Sequence, residues 1–488
     1  MARIFVSIAG AFLSGMLLYF GQAHLWAMLF APVCFAIMSI IVDKNARGIM
    51  FLSVIIFTLS YLFIQTVFLW DTDGKNGLEV LYCVFPFLIY FLPQAGLLLT
   101  RKYKVPLFLT GWLLSELIFI HIQLGCSIYR LGNIWANYPP LIQWYEYTGI
   151  YGGSLWTALL GYGLYYAIAS SSLKFISFAL FIPLIWSAGL LLVQKSVIPE
   201  RTVQVAILSL NKEYKACDID STIYANRFHP ADFIVLPEAI VSYDARTYRY
   251  SSFMTSIKRN LTDTLSHTSA ILGLWLKDCH KKFYNVVLDY SRQGEQMRSK
   301  ELRMPFAEYL PYANFLGQFE FFQNLIRYPI SVQGNDTRVF WKNGVEYSPL
   351  ICYEAICLDF LCDISRDGAQ FFTVSASNSS LNSMHIERTG NNILKASAIA
   401  TRRSIVRSVD NGLPCFITPT GAVTQLQPNS TAYVIQSVAL ERTGTFYMKH
   451  HRRITTGYLL SLAIIYLFFF IASIRDKLIK SNKRHLYI

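Results

Sequence analysis

Apolar positions run almost unbroken through the first 195 residues, broken only by short polar loops. A helix needs about 17–25 such residues to cross a bilayer. The pattern predicts spans near 3–21, 24–42, 49–70, 78–100, 105–125, 154–172 and 174–194, with one more near 455–474. Between the last two, the stretch 196–454 is polar enough to fold in water. Short β-branched or aromatic runs recur in it: Val203–Leu210, Phe233–Leu236, Ala270–Leu276, Tyr284–Asp289, Leu350–Cys352, Phe371–Val374 and Cys415–Thr418. Helical stretches separate some of these, notably near 388–402. Strands alternating with helices predict an α/β domain of layered sheets. The expected organisation is therefore a membrane domain of seven helices (1–195), a folded domain (196–454), then an eighth span and a basic tail (455–488).

Composition supports that division. Hydrophobic residues make up 53% of the 488 and charged residues only 15%, a balance foreign to soluble proteins. The net charge of +13 lies mostly in short loops beside apolar runs. No basic block interleaved with stacking aromatics occurs, so the excess reads as a topology signal and not as a nucleic-acid footprint. Arg3, Lys44, Arg47, Arg101, Lys102, Lys104, Lys174 and the tail residues Arg475, Lys477, Lys480, Lys483 and Arg484 fall on one side. The opposite loops hold little: Lys75 against Asp71 and Asp73 in 71–77, and Arg130 in 126–153. This asymmetry puts both termini in the cytoplasm and 196–454 outside it. The first span follows the signal-peptide pattern in having Arg3 before an apolar run, but a second span follows at once without a small-residue cleavage site, which argues for retention. The aromatic loop 126–153, with Trp135, Tyr138, Trp144, Tyr145, Tyr147 and Tyr151, reads either as an interfacial belt or as the lining of a lipid entry.

Nine cysteines (34, 83, 126, 217, 279, 352, 357, 362, 415) are scattered and include no C-x-x-C pair. Neither a disulfide framework nor a zinc site follows, and no phosphate-loop or dinucleotide fingerprint occurs. Three segments point to chemistry instead. In Ala231–Ala239 an apolar strand ends in Pro237 and presents Glu238. In 298–311 Lys300 is followed eight residues later by Glu308. In 348–354 a second apolar strand ends at Cys352. Alone, each residue has an ordinary reading: a solvated loop carboxylate, a surface cation, a small buried hydrophobe. Together they form a set. A thiol needs a base to become a thiolate, and a neighbouring cation lowers its pKa. Glu238 is the candidate base, and Lys300 with the backbone N–H after Cys352 the candidate oxyanion donors.

The order Glu, Lys, Cys, in Leu236-Pro-Glu, Lys300-x4-Pro-x2-Glu and Ile351-Cys-Tyr-Glu, resembles the nitrilase superfamily. Spans on both sides of such a domain make the chain similar to that superfamily's membrane-embedded branch, the apolipoprotein N-acyltransferases. The resemblance extends to Tyr284-Asn285, to 401–413, to Leu131-Gly-Asn and to 141–149. It implies an αββα nitrilase-like domain in the periplasm, about eight transmembrane helices in the inner membrane, and a monomer without metal or organic cofactor. It implies Glu238 as general base, Lys300 as oxyanion stabiliser, Cys352 as nucleophile and Glu308 as support for the lysine. Asn285 is a supporting residue, while Tyr353 and Glu354 match positions lining the thioester pocket. The implied reaction takes an acyl chain from a membrane phospholipid onto Cys352, then passes it to the α-amine of a diacylglyceryl-cysteine on an apolipoprotein. The chain departs from the family at 374–384, which lacks the usual Asp, aromatic pair and Gly. It also departs at Ala307, Arg303 and Arg298, the last in place of a common Tyr. A membrane-tethered amidase of the same superfamily and a catalytically degenerate envelope or conjugation scaffold are the competing readings.

Overall fold

The computed structural model describes the chain apart from residues 1, 67–77, 101, 124, 126, 197–200, 211–215, 226–230, 264–266, 325–331, 335–336, 379–382, 428–431 and 486–488. The expected loop 71–77 and the centre of the altered 374–384 stretch thus lie outside the described residues. Two compact units divide the chain, a helical one within 1–189 and 450–488 and an α/β one within 190–449.

In the helical unit the apolar runs become Ala2–Ala23, Phe30–Lys44, Arg47–Thr66, Leu78–Gln94, Lys104–His121, Tyr145–Ser170 and Lys174–Ser196, and the C-terminal helix is Phe446–His485. Among the described residues, five helices are long and apolar enough to cross a membrane: Ala2–Ala23, Leu25–Lys44, Lys104–His121, Lys174–Gln194 and Phe446–Arg475. Small residues let helices approach closely. A Cβ on Gly15 would lie 2.6 Å from the carbonyl oxygen of Phe57, on the helix opposite. The helix expected at 154–172 starts earlier, at Tyr145, and bends at Gly149, whose φ of 64° breaks the helical path. Residues 127–141 wind through three short 3₁₀ turns. Glu116 accepts hydrogen bonds there from Leu131 N–H at 3.1 Å and the Ser154 hydroxyl at 2.5 Å. Tyr145 donates to Gly132 O at 2.7 Å, and Trp135 Nε1 to the Thr157 hydroxyl at 2.8 Å. Trp135, Trp144, Tyr145 and Tyr151 are buried while Tyr138 and Tyr147 are exposed. An interfacial belt therefore describes only the last two, because the other rings are buried inside the helical unit, with the polar tips of Trp135, Trp144 and Tyr145 hydrogen-bonded there.

Among the described residues the α/β unit is built on thirteen strands: β1 Thr202–Ser209, β2 Phe233–Val235, β3 Val241–Asp244, β4 Ser269–Lys277, β5 Phe283–Ser291, β6 Gly294–Ser299, β7 Phe340–Lys342, β8 Val345–Ile351, β9 Phe371–Ser377, β10 Ser404–Asp410, β11 Cys415–Ile417, β12 Val423–Gln425 and β13 Ala432–Ala439. One sheet runs β13-β1-β2-β4-β5-β6 with β3 beside β4, and the other runs β12-β11-β10-β9-β8-β7. Near-continuous apolar runs suit strands buried on both faces. Val205, Phe233 and Ile271 of the first sheet meet Tyr347, Phe371 and Val406 of the second in one core. The outer faces are covered by helices, Ala216–Ala225 and Ser252–Asp263 on the first sheet and Leu358–Arg366 and Met384–Thr401 on the second. The layers are α, β, β, α, as expected. Strands β1, β2 and β4 are mutually parallel, as are β8, β9 and β10.

Candidate active site

The residues singled out from sequence converge at the carboxyl ends of these strands. Glu238 follows β2, Lys300 follows β6 and Cys352 follows β8. Two hydrogen bonds join the sheets there, from Ser375 Oγ to Leu236 O at 2.8 Å and from Glu238 N–H to Ala376 O at 3.1 Å. Glu238 also packs on Gly273 of β4, where a Cβ would lie 2.6 Å from the Glu238 Cα. The close approach therefore requires glycine.

Each carboxylate oxygen of Glu238 has defined partners. Oε1 accepts from Asn285 Nδ2 at 2.7 Å and from Lys300 Nζ at 3.4 Å. Oε2 accepts from the Ser377 backbone N–H at 3.1 Å. Lys300 Nζ also donates to Glu308 Oε1 at 2.8 Å, while Glu308 Oε2 accepts from Met304 N–H at 2.7 Å. Lys300 N–H donates to Asn285 O at 2.8 Å, which extends the β5–β6 ladder by one step. The lysine and both glutamates are buried. Burial alone would lower the Lys300 pKa, but the charges of Glu238 and Glu308 outweigh it and hold the ammonium well above its ordinary value.

Cys352 stands apart in its backbone. Its φ is +46°, in the left-handed region that disfavours any side chain. It opens the short 3₁₀ turn Cys352–Ile356 at the end of β8. Such a conformation costs on the order of 1 kcal/mol and persists only where its surroundings enforce it. The cation was expected to depress the thiol pKa. Desolvation first, then the charge of Glu238, push it well above its ordinary value, outweighing Lys300 and Arg407, which do lower it.

Glu354, matched in sequence to a position lining the pocket, is bound into the protein on both of its oxygens. It is fully buried, and Arg298 clamps it through Nη2 to Oε1 at 2.6 Å and Nη1 to Oε2 at 3.0 Å. Glu354 Oε2 also accepts from Ile351 N–H at 2.9 Å, and Oε1 from Glu301 N–H at 2.7 Å. One carboxylate thus ties the turn bearing Cys352 to the segment bearing Lys300. Tyr353 is partly exposed beside the cysteine. Arg298, noted from sequence only as a departure, is the counter-ion this brace requires.

A second buried network borders the first and was not singled out from sequence, although Arg407, Asp410 and Asn411 lie within 401–413. Arg407 on β10 donates through Nη1 to Glu387 Oε2 at 3.0 Å and Asn391 Oδ1 at 2.9 Å, and through Nη2 to Glu387 Oε1 at 3.2 Å. Glu387 also takes a bond from Asn378 Nδ2. Asp410, at the end of β10, accepts from the Ser377 hydroxyl at 3.0 Å and Asn378 N–H at 2.8 Å. Among the described residues no cluster of three or more His, Cys, Asp or Glu side chains is placed to hold a metal, and Cys34, Cys279, Cys352, Cys357, Cys362 and Cys415 form no disulfide.

A family profile described as the apolipoprotein N-acyltransferase N-terminal domain matches residues 14–163. Curated relatives agree with it. An apolipoprotein N-acyltransferase of Vibrio parahaemolyticus is 24% identical over 238 residues, covering 44% of this chain and 43% of that protein. Over these stretches the chain is similar to the apolipoprotein N-acyltransferases. A further N-acyltransferase, from Pseudomonas putida, is 24% identical over 207 residues, covering 41% of this chain and 39% of its own length. The chain thus spans less than half the length of these N-acyltransferases. Among solved structures, a CN-hydrolase superfamily protein of Xanthomonas campestris is 14% identical with a TM-score of 0.37, covering 53% of this chain and 97% of its own. A nitrilase-superfamily amidase of Nesterenkonia is 13% identical with a TM-score of 0.37, covering 53% and 99%. The resemblance at 131–153 falls inside the profile match, on the 3₁₀ turns and the bent helix that Glu116 and Ser154 hold together.

Proposed function

We propose that the chain is a membrane N-acyltransferase that moves a fatty acyl group from a phospholipid to the N-terminal amine of a diacylglyceryl apolipoprotein through a Cys352 thioester. The observation that carries this reading is the buried Glu238–Lys300–Glu308 ion pair at the strand ends where Cys352 is held at positive φ. Glu238 takes the thiol proton as Sγ attacks the ester carbonyl. Lys300 and the N–H following Cys352 stabilise the oxyanion. The ester C–O bond breaks, and Glu238 returns its proton to the departing lysophospholipid. In the second half the amine attacks the thioester, its proton passes to Glu238, the C–N bond forms and the C–S bond breaks. The thiolate then recovers the proton. Asn285, Glu308 and Glu354 keep the base, the cation and the cysteine turn in place, and Tyr353 faces the acyl chain.

The chain works as a monomer in the inner membrane with eight spans, both termini in the cytoplasm and the domain 196–454 in the periplasm. The membrane domain is 1–195, and the last span and tail are 455–488. Both substrates are anchored in lipid, so a site held at the bilayer raises their effective concentration.

Intact-mass measurement after incubation with phospholipid tests the reading. A fatty-acyl adduct on Cys352 that persists until a diacylglyceryl-cysteine peptide is added supports transfer. Steady release of free fatty acid without acceptor makes the chain a hydrolase instead. A thiol left unmodified overturns both.

A further inference from the structure

Glu238 has two side-chain donors on Oε1 but, among those the geometry gives, a single backbone donor on Oε2, the Ser377 N–H at 3.1 Å. Together with the Oε1 donors, that N–H holds the rotation of the carboxylate about its last bond, and with it the lone pair left for a proton. What fixes the N–H is a second acid. Ser377 is the last residue of β9, in register with Asp410, the last of β10. The Asp410 carboxylate reaches across the ladder with both oxygens. Oδ2 accepts from the Ser377 hydroxyl at 3.0 Å and Oδ1 from Asn378 N–H at 2.8 Å. These bonds bracket the Ser377–Asn378 peptide just where β9 ends. Asn378 is tied further, its carbonyl accepting from Asn411 Nδ2 at 3.2 Å and its amide bonding Glu387, which Arg407 holds in turn. Asp410 is buried, and it is close enough to Glu238 for the two charges to disfavour each other. A second buried acid beside the first has an electrostatic cost, and its geometry assigns it a task.

We propose that Asp410 is a positioning residue for acyl transfer, holding Ser377 so that the Ser377 N–H orients Glu238 toward Cys352. The inference rests on Glu238 being the base. Asp410 touches neither sulfur nor substrate and acts only through Ser377.

The test follows iodoacetamide alkylation of Cys352, read peptide by peptide by mass spectrometry on the full-length protein in detergent. This rate reports attack by Sγ with its proton passing to Glu238, and needs no acceptor. In the wild-type background Asp410→Ala is expected to slow alkylation between about 10- and 100-fold, the scale of loss from a small misplacement. Ser377→Ala, which keeps the N–H but loses the hydroxyl, slows it less. In a Glu238→Gln background Asp410→Ala adds nothing, because the group through which it acts has gone. A merely structural role would slow both backgrounds alike, which overturns the proposal, as does a rate for Asp410→Ala within twofold of wild type. Should Asp410→Ala fail to fold, a wild-type rate in Ser377→Ala overturns it. Full reactivity in Glu238→Gln alone removes the base reading and the inference with it. A slow Glu238→Gln with unaffected Asp410→Ala and Ser377→Ala removes only the inference.

Discussion

Two buried groups of opposite charge respond to their surroundings in opposite ways. Lys300 stays charged because Glu308 at 2.8 Å and Glu238 at 3.4 Å outweigh its desolvation. Among the described residues no ion pair to Asp410 is formed. Burial raises its pKa, the bonds from Asn378 and Ser377 lower it, and the neighbouring charges of Glu238 and Glu387 raise it again, leaving it at about 6. Arg407, across Glu387, is already committed to that residue. A carboxylate whose folded-state pKa lies above its unfolded value stabilises the fold at pH below the unfolded value, and that contribution is lost as pH rises through 6. Asp410→Asn, which mimics the neutral acid, is therefore expected to be more stable than wild type at pH 7.5, by about 1–3 kcal/mol, and to unfold at higher temperature. The gap should close near pH 4. Thermal unfolding followed by tryptophan fluorescence at both pH values checks this, and a variant less stable than wild type at pH 7.5 contradicts it. None of this was legible in the sequence. An Asp before Asn-Gly reads as a turn residue, and only the register of β9 on β10 brings it to Ser377.

At the scale of elements, the site depends on how the ends of β6 and β8 are joined. The two strands lie in different sheets, so no ladder connects them, and Glu354 supplies the link through Arg298, Glu301 N–H and Ile351 N–H. Breaking a buried pair by removing one partner strands a charge, which costs about 3–5 kcal/mol, whereas replacing both with apolar groups costs much less. Arg298→Met is therefore expected to destabilise the chain by that amount, and Arg298→Met with Glu354→Leu by clearly less. The double variant still loses activity, because the N–H groups of Ile351 and Glu301 lose their acceptor. Denaturation midpoints of both variants with an acyl-adduct assay test this, and equal destabilisation would refute it. The strands themselves were readable: apolar runs ending in Glu238 and Cys352 fall where β2 and β8 end, because strands buried on both faces have little sequence freedom. The braces were not. Glu354 belonged to a matched motif but its partner Arg298 looked like a departure, since pairing between residues 56 apart leaves no local pattern.

At the scale of the whole molecule, function depends on which side of the bilayer the α/β unit occupies, and charge is the property that decides it. The chain holds 43 Lys and Arg against 30 Asp and Glu, and the positive residues outside 196–454 cluster in alternate loops and in the tail. Positive residues resist translocation when they lie in short loops beside a span. With Arg3, Lys44, Arg47, Lys102, Lys104 and Lys174 on one side, the α/β unit emerges on the other only if an odd number of spans precedes it. Five helices meet the criteria of length and apolarity among the described residues, and Arg47–Leu62 and Val84–Leu99 are shorter apolar segments. Eight spans in all, seven of them before the α/β unit, require both shorter segments and the bent helix Tyr145–Ser170 to cross as well. Cys279 offers a direct check, being free and exposed in the α/β unit. A membrane-impermeant maleimide is expected to label Cys279 in intact spheroplasts, and to label a Ser481→Cys tail variant at position 481 only after permeabilisation. Labelling of both positions in intact spheroplasts would mean an odd total of spans. Labelling of neither would place the α/β unit in the cytoplasm, away from lipoproteins exposed on the outer face, and the proposed acceptor would have to be abandoned.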